Sequence, residues 1–287
     1  EYCNRFCKEI QAGICDLPSS SLRLRNGQSY QYSNFENCTV SELPKYINLY
    51  LDESCNLTCP ACRSQRKVTT GEEAKKILDV LMEKVLPNLG GCEQLTLLVT
   101  GEFLASMPAI QFLKKISHKN FPNLTLRLMT NGQLFTETNW GRLSNLHGVP
   151  LQLSISIDAT DKETYERIRR GANWDILLKN LAFISRLKVS GQIVHLRFNY
   201  LVQHENYLAM SEFVILAKRF NADEVWFQRI ADWGTMKREE FHLTDVFNPD
   251  HPQFEQAAVL LRGILCDETE IKITESCLGD QDLFIET

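Results

Sequence analysis

The strongest constraint on the fold is a regular alternation of strand and helix patterns along the middle of the chain. Short runs rich in strand-forming apolar residues alternate with segments whose apolar residues recur at helical spacing. Six strands are predicted at about residues 46–52, 94–100, 124–129, 151–157, 193–202 and 224–230. Such alternation predicts right-handed crossovers and a parallel sheet. Because the strands are nearly continuous in apolar residues, we expect both faces of the sheet to be covered.

The number of strands predicts the architecture. Six strands are fewer than the eight of a closed (β/α)8 barrel. The predicted fold is therefore α/β, a partial (β/α)6 TIM-like barrel with a lateral gap through which a large substrate enters. Residues 1–44 form a cysteine-rich N-terminal extension and 45–230 the partial barrel, while 231–287 form a short C-terminal extension expected to cover a substrate or a cluster.

Composition excludes several classes of partner. The 287 residues include 31 Lys and Arg against 36 Asp and Glu, a net charge of −5. Nucleic-acid-binding domains are usually basic, so we expect no nucleic-acid partner. No apolar run reaches the roughly 18 residues that cross a bilayer, so we expect no membrane partner either. Without a charged-then-apolar signal at its start, the sequence predicts a cytoplasmic protein.

The cysteines are concentrated at one end of the chain, where they indicate a metal site. Ten are present, and the sequence Cys55-Asn-Leu-Thr-Cys59-Pro-Ala-Cys62 directly follows the first strand. Clustered cysteines in a chain of this size favour metal binding or catalysis over disulfides. Three thiolates suit a [4Fe–4S] cluster with one iron left open to another ligand. Structural zinc is the alternative, although zinc sites more often use paired CxxC units.

The CxxxCxxC spacing, placed behind the first of six βα-type units, resembles the signature of the radical S-adenosylmethionine (SAM) superfamily. The resemblance covers roughly residues 45–230. It implies that Cys55, Cys59 and Cys62 hold a [4Fe–4S] cluster and that SAM chelates the fourth iron. Reduction would cleave SAM to a 5′-deoxyadenosyl radical that takes a hydrogen atom from a substrate. A flavodoxin or ferredoxin is the expected reductant.

The same resemblance implies a set of SAM-binding residues at the ends of the later strands. Thr100-Gly101-Glu102 is similar to the glycine–glutamate motif that meets the SAM amino group. Ala61 stands where relatives often have an aromatic residue, and Phe103 is a candidate to replace that contact. The expected contacts with the ribose and carboxylate come from Ser154, Ser156 and Asp158, and a carboxylate-binding arginine is expected among Arg167, Arg169 and Arg170. Asn199, late on the fifth strand, is expected to face the same pocket as a further cofactor-binding residue.

The other cysteines permit a second cluster. Relatives with SPASM or twitch extensions carry auxiliary clusters, usually after the barrel, whereas this chain has four cysteines before it. A zinc ribbon and unrelated free thiols are the alternatives. Cys266 or Cys277 could replace Cys38 as a ligand, or return a hydrogen atom to the substrate in an epimerase. The four candidate ligands of the second iron–sulfur cluster are Cys3, Cys7, Cys15 and Cys38.

The resemblance leaves three functions open. The favoured one is hydrogen abstraction from a peptide or peptide-like natural product, leading to epimerisation, crosslinking or oxidation. The second is an epimerase or dehydrogenase acting on a sugar or aminocyclitol. The third, from another class, is a non-catalytic zinc- or cluster-binding interaction module. Fold and cofactor do not decide among substrates.

Overall fold

The computed structural model describes residues 44–98, 101–267 and 270–278, together with the backbone of two short strands. Those strands, β1 (Leu22–Arg23) and β2 (Ser29–Tyr30), pair antiparallel. The chain divides into two compact units, Glu1–Glu42 and Leu43–Thr287. The four candidate auxiliary-cluster cysteines lie outside the described residues, so the second cluster stays a prediction. They are Cys3, Cys7, Cys15 and Cys38.

The second unit is built on a seven-stranded parallel sheet whose spatial order follows the chain. Each strand pairs in parallel with the next one, so every connection crosses over to the neighbouring position. This arrangement confirms the predicted α/β class and partial barrel. The strands are β3 (Tyr46–Tyr50), β4 (Gln94–Leu98), β5 (Thr125–Thr130), β6 (Leu151–Ser156), β7 (Ile193–Val202), β8 (Glu224–Arg229) and β9 (Lys272–Glu275).

Helices lie between the strands. The first continues into a π-helical turn, Leu81–Val85, and a 3-10 segment, Leu86–Gly91. None of the described helices is long and apolar enough to cross a bilayer. The α-helices within the described residues are α1 (Gly71–Val80), α2 (Met107–Leu113), α3 (Glu137–Gly141), α4 (Lys162–Ile168), α5 (Trp174–Val189), α6 (Met210–Arg219), α7 (Arg238–Thr244) and α8 (Phe254–Cys266).

The sheet has one strand more than the six that the sequence predicts. β9 comes from the segment 231–287 and pairs in parallel with β8, from Glu224 opposite Lys272 to Phe227 opposite Glu275. Its four residues, Lys-Ile-Thr-Glu, contain a single large apolar side chain. Such a short and mostly polar run carries little strand signal on its own, so its pairing with β8 decides its conformation.

One face of the sheet is apolar and the other is mostly polar, so the strands alternate in character although their sequences are rich in apolar residues. On β7, Phe198 and Tyr200 are fully buried and pack against Phe213 of α6. The alternating positions of the same strand carry His195, Arg197 and Asn199. We call the face opposite the helices the inner face. Its members on β4–β8 include Thr96, Arg127, Gln152, Ser154, Ser156, His195, Arg197, Asn199, Glu224 and Trp226, placed by the strand registers.

Candidate functional site

The three signature cysteines lie in the loop 51–70, here called the cysteine loop, at the carboxyl edge of the sheet. Cys55 is buried, Cys59 is partly exposed and Cys62 is exposed, and all three are free thiols. In the described part of the chain, no three His, Cys, Asp or Glu side chains are arranged to hold a single metal ion. An iron–sulfur cluster takes its thiolates on separate irons, so its ligands need not converge on one point.

The cysteine loop is held by groups from distant parts of the chain. The carboxylate of Asp52 accepts hydrogen bonds from the Ser54 backbone at 2.8 Å and from the Ser106 hydroxyl at 2.6 Å. Further along the loop, the Thr58 backbone donates to the carbonyl of Arg170 at 3.0 Å. The loop is therefore fixed at both sides of Cys55.

Gly101 permits a close approach between the cysteine loop and the connection that follows β4. The Glu102 backbone donates to the Ser54 carbonyl at 2.7 Å. A side-chain carbon on Gly101 would overlap that carbonyl oxygen and lie 2.8 Å from its carbon. The absence of a Cβ at this position is thus required by the protein's own backbone. Thr100 lies outside the described residues, and contact of Gly101 and Glu102 with SAM stays a prediction.

The Glu102 side chain is fully buried behind the cysteine loop. Its carboxylate accepts hydrogen bonds from the Thr130 hydroxyl at 2.9 Å, the Asn131 backbone at 2.7 Å and the Leu104 backbone at 3.2 Å. Burial raises the pKa of Glu102 to about 7, although these hydrogen bonds oppose the shift. The carboxyl group therefore joins the ends of β4 and β5.

The raised pKa of Glu102 predicts how stability depends on pH. Because the folded-state pKa of about 7 exceeds the ordinary value of 4.5, folding favours the protonated form. That contribution is complete below pH 4.5 and is lost as the pH rises to about 7. Relative to Glu102→Gln, the free energy of unfolding of the unmodified protein should fall by about 3 kcal/mol across this interval. Urea unfolding of both apo proteins measures the difference, and a pH-independent difference would contradict the prediction.

Three donors point at the thiols. The Leu57 backbone donates to Cys55 Sγ at 3.4 Å, and Asn131 Nδ2 lies 3.9 Å from the same sulfur. The Arg63 guanidinium donates to Cys62 Sγ at 3.5 Å. Burial raises the pKa of Cys55, and the Leu57 hydrogen bond opposes this. Hydrogen bonds to sulfur stabilise the thiolate, which is the form that binds metal. The donor set thus fits an iron–sulfur cluster.

The buried carboxylate of Asp158 forms an ion pair with the partly buried guanidinium of Arg169 beside the cysteine loop. Asp158 follows β6 in a left-handed conformation, with φ of 68°, and its carboxylate also accepts from the Leu201 backbone at 2.7 Å. Burial raises the pKa of Cys59, and the Arg169 guanidinium is the main group that opposes the increase. Arg169 therefore brings a positive charge close to the thiol of Cys59.

The other two candidate arginines point elsewhere. Arg167 is about half exposed at 48%, and it pairs with Glu205 and, at 3.6 Å, with Glu163. Arg170 is exposed, and its contact with the cysteine loop is made by its backbone carbonyl to Thr58. Of the three arginines, the structure thus brings only the side chain of Arg169 to the site.

Three polar candidates on β6 and β7 lie on the inner face. Ser154 and Asn199 are buried, and Ser156 is opposite Asn199 in the strand register. Neither the oxygen nor the nitrogen of the Asn199 amide has a hydrogen-bond partner among the described residues. Buried amides normally have partners, so this one is suited to a polar ligand.

The two C-terminal cysteines and Phe103 differ in whether they can reach the carboxyl edge of the sheet. Cys277 is buried just after β9, at the carboxyl edge. Cys266 is exposed at the end of α8, before β9 begins, and so lies at the opposite edge. Phe103 has no exposed surface and packs edge-on against Phe135, with ring centroids 6.4 Å apart. The expectation that Phe103 contacts SAM is therefore wrong, because the core occupies its ring.

Sequence reasoning missed two residues that contact the thiols. Asn131 belongs to Thr130-Asn131-Gly132, which the sequence indicates only as a turn, and Arg63 directly follows the third cysteine. A signal was present for Asn131, because polar residues just after a parallel strand reach the edge where sites form. Arg63 carried no comparable signal, since a charged residue in a loop is usually solvated.

The comparison with protein families identifies the class of protein. The model of the Radical SAM superfamily matches residues 51–213, more than half of the chain. The chain therefore belongs to the Radical SAM superfamily. The matched range contains the cysteine loop, Gly101, Glu102, Asp158, Arg169 and Asn199.

Solved structures with the same fold include SuiB from Streptococcus suis. SuiB bound to S-adenosylmethionine superposes with a TM-score of 0.56 at 16% identity, covering 82% of this chain and 51% of SuiB. SuiB bound to the precursor peptide SuiA gives a TM-score of 0.56 at 15% identity, covering 95% of this chain and 61% of SuiB. The chain thus spans about half to three-fifths of the length of SuiB. No curated protein matches the chain.

Proposed function

We propose that this chain is an enzyme that reductively cleaves SAM and abstracts a hydrogen atom from a peptide or peptide-like natural product. The observation that carries the proposal is the set of Cys55, Cys59 and Cys62 in one braced loop at the carboxyl edge of a partial barrel. When bound, the cluster and SAM supply the electron and the 5′-deoxyadenosyl radical. The protein's own residues hold these groups, orient them and exclude water.

Each side chain at the edge then has a proposed task. Cys55, Cys59 and Cys62 would ligate the cluster, with the donors described above favouring their thiolates. Arg169, whose Nε has no hydrogen-bond partner in the described ranges, would hold a carboxylate of SAM. A guanidinium suits this role because its fork matches two carboxylate oxygens. The unpartnered amide of Asn199 would bind a hydroxyl of the ligand.

The proposed contacts of the remaining candidates are less direct. Glu102 and Gly101 brace the loop and place the SAM amino group near its edge, while Ser154, Ser156 and Asp158 line the end of β6. Cys277 is preferred to Cys266 as a hydrogen donor or extra cluster ligand, because it lies at the carboxyl edge. A second cluster on the N-terminal cysteines and a flavodoxin or ferredoxin reductant complete the proposal.

A peptide is the proposed substrate for two reasons. The fold is similar to that of SuiB, which was solved with its precursor peptide SuiA. The inner face also carries polar side chains on every strand from β4 to β8, as a surface that binds peptide amide groups requires. A few well-placed polar side chains in a binding site fix the orientation of the ligand and make its binding specific.

The test is anaerobic reconstitution with iron and sulfide, followed by dithionite and SAM. We expect a brown protein with about four irons per chain for the site, or about eight with a second cluster. 5′-Deoxyadenosine should form only when dithionite is present. A colourless zinc protein that leaves SAM intact would contradict the proposal and support a non-catalytic binding module.

A further inference from the structure

Residues of the inner face that lie side by side on neighbouring strands are called a row here. One such row contains a positively charged side chain and no negatively charged one. Strand register places Thr96 beside Arg127, Arg127 beside Gln152, and Gln152 beside His195. Burial lowers the pKa of His195, against the opposing charge of Glu224. His195 is therefore largely neutral at pH 7, and Arg127 carries the charge of the row.

Arg127 also has no partner among the described residues of the sheet and its surroundings. It is half-buried, and within residues 44–98, 101–267 and 270–278 its side chain makes no hydrogen bond or ion pair. Other arginines near the site differ, since Arg169 pairs with Asp158, Arg229 pairs with Asp245 at 2.7 Å, and the Arg197 guanidinium lies 4.6 Å from the Trp226 ring centroid. A partly desolvated charge without a partner is costly, so Arg127 is poised for an external anion.

The acid nearest to this row along the register is already engaged. Glu224 accepts a hydrogen bond from the Thr274 hydroxyl at 2.7 Å and lies 3.4 Å from His195 Nε2. It belongs to the neighbouring row, beside Arg197. The positive charge of Arg127 is therefore left for a ligand, and a single guanidinium among neutral groups suits a monoanion.

The position of Arg127 on β5 determines how far a ligand must extend from the cysteine loop to contact it. Arg127 is three residues before Thr130, whose hydroxyl contacts Glu102 behind the cysteine loop. At about 3.3 Å per residue, Arg127 lies about 10 Å below that edge. An extended peptide covers this distance in about three residues.

On the basis of the proposed function, we propose that Arg127 binds a carboxylate of the peptide substrate within about three residues of the residue that loses hydrogen. A guanidinium favours carboxylates because it can donate two parallel hydrogen bonds. The carboxylate is either an Asp or Glu side chain or the C-terminus of the peptide. Both sources share the same chemistry, and the experiment separates them.

The experiment measures protection of Arg127 from phenylglyoxal, a reagent for accessible guanidinium groups. The reconstituted, SAM-loaded protein is treated anaerobically, and modification is followed by peptide mass spectrometry. The probes are acetyl-Gly-Gly-Gly-Glu amide, its Gln counterpart, and acetyl-Gly-Gly-Gly-Gly with a free C-terminus. Arg262, exposed on α8, serves as the internal control for reagent activity.

We expect the Glu peptide, the free-carboxylate peptide or both to slow modification of Arg127 several-fold, while the Gln peptide and the rate at Arg262 stay unchanged. Protection by one of the two carboxylate peptides identifies the source. Equal rates with all probes up to their solubility limits, or equal protection by the Gln peptide, would overturn the proposal. Failure of the proposed function is seen separately, as absence of 5′-deoxyadenosine from the same preparation.

Discussion

Replacing Cys59 with alanine should remove about four irons per chain and abolish formation of 5′-deoxyadenosine. Cys59 is partly exposed in the middle of the cysteine loop, and the Arg169 guanidinium opposes the increase in its thiol pKa. Without this thiolate, the cluster lacks one of its three protein ligands. Iron analysis, together with the SAM-induced change in the electron paramagnetic resonance spectrum, measures the result.

Cys92→Ala is the matched control for this prediction. Cys92 is a buried free thiol away from the cysteine loop, and it donates to backbone carbonyls of Lys45 and Gln94 at the amino edge of β3 and β4. The variant should retain its iron and its product, and lose only about 1 kcal/mol of stability. Full product formation by Cys59→Ala would show that the signature cysteines do not hold the catalytic cluster.

Gly101→Ala should destabilise the apo protein by about 2–4 kcal/mol. The added methyl group would overlap the Ser54 carbonyl, so the two backbones must separate and the hydrogen bond from the Glu102 backbone weakens or breaks. The expected result is a lower midpoint of urea unfolding with an unchanged slope. Iron binding should weaken as well, since Ser54 directly precedes Cys55.

The same chemical change at Gly263 provides the control, with the opposite sign. Gly263 lies inside α8, and a methyl group there meets no atom within 4 Å. Alanine has the higher helix propensity, so Gly263→Ala should stabilise the protein by about 0.5–1 kcal/mol. If both variants unfold at the same urea concentration, the close approach at Gly101 has no energetic role.

The sequence was sufficient for features encoded by short-range patterns. Cys55, Cys59 and Cys62 lie within one loop. The alternation of strand and helix patterns along the chain places that loop at the carboxyl end of β3, the first strand of the parallel sheet. Both are local properties of the chain. The predicted class of fold and the predicted resemblance were therefore confirmed.

Short-range sequence patterns could not predict the directions in which the side chains point. Arg167, Arg169 and Arg170 are near neighbours in sequence, yet Arg169 ends α4 with φ of −102° and ψ of 61°, which separates its direction from that of the others. Its partner, Asp158, depends on a left-handed backbone that no local signal specifies. β9 was missed for a related reason, because its conformation depends on pairing with β8.

The bracing of the cysteine loop also sets the order of maturation. A nascent chain that ends at Cys62 contains all three sulfurs but lacks Glu102, Ser106, Asn131 and Arg170, whose contacts fix the loop. Metal sites are seldom preformed before folding. The contacts that fix the loop can therefore form only after the first four sheet strands are present, and we expect iron binding to be coupled to folding of this edge.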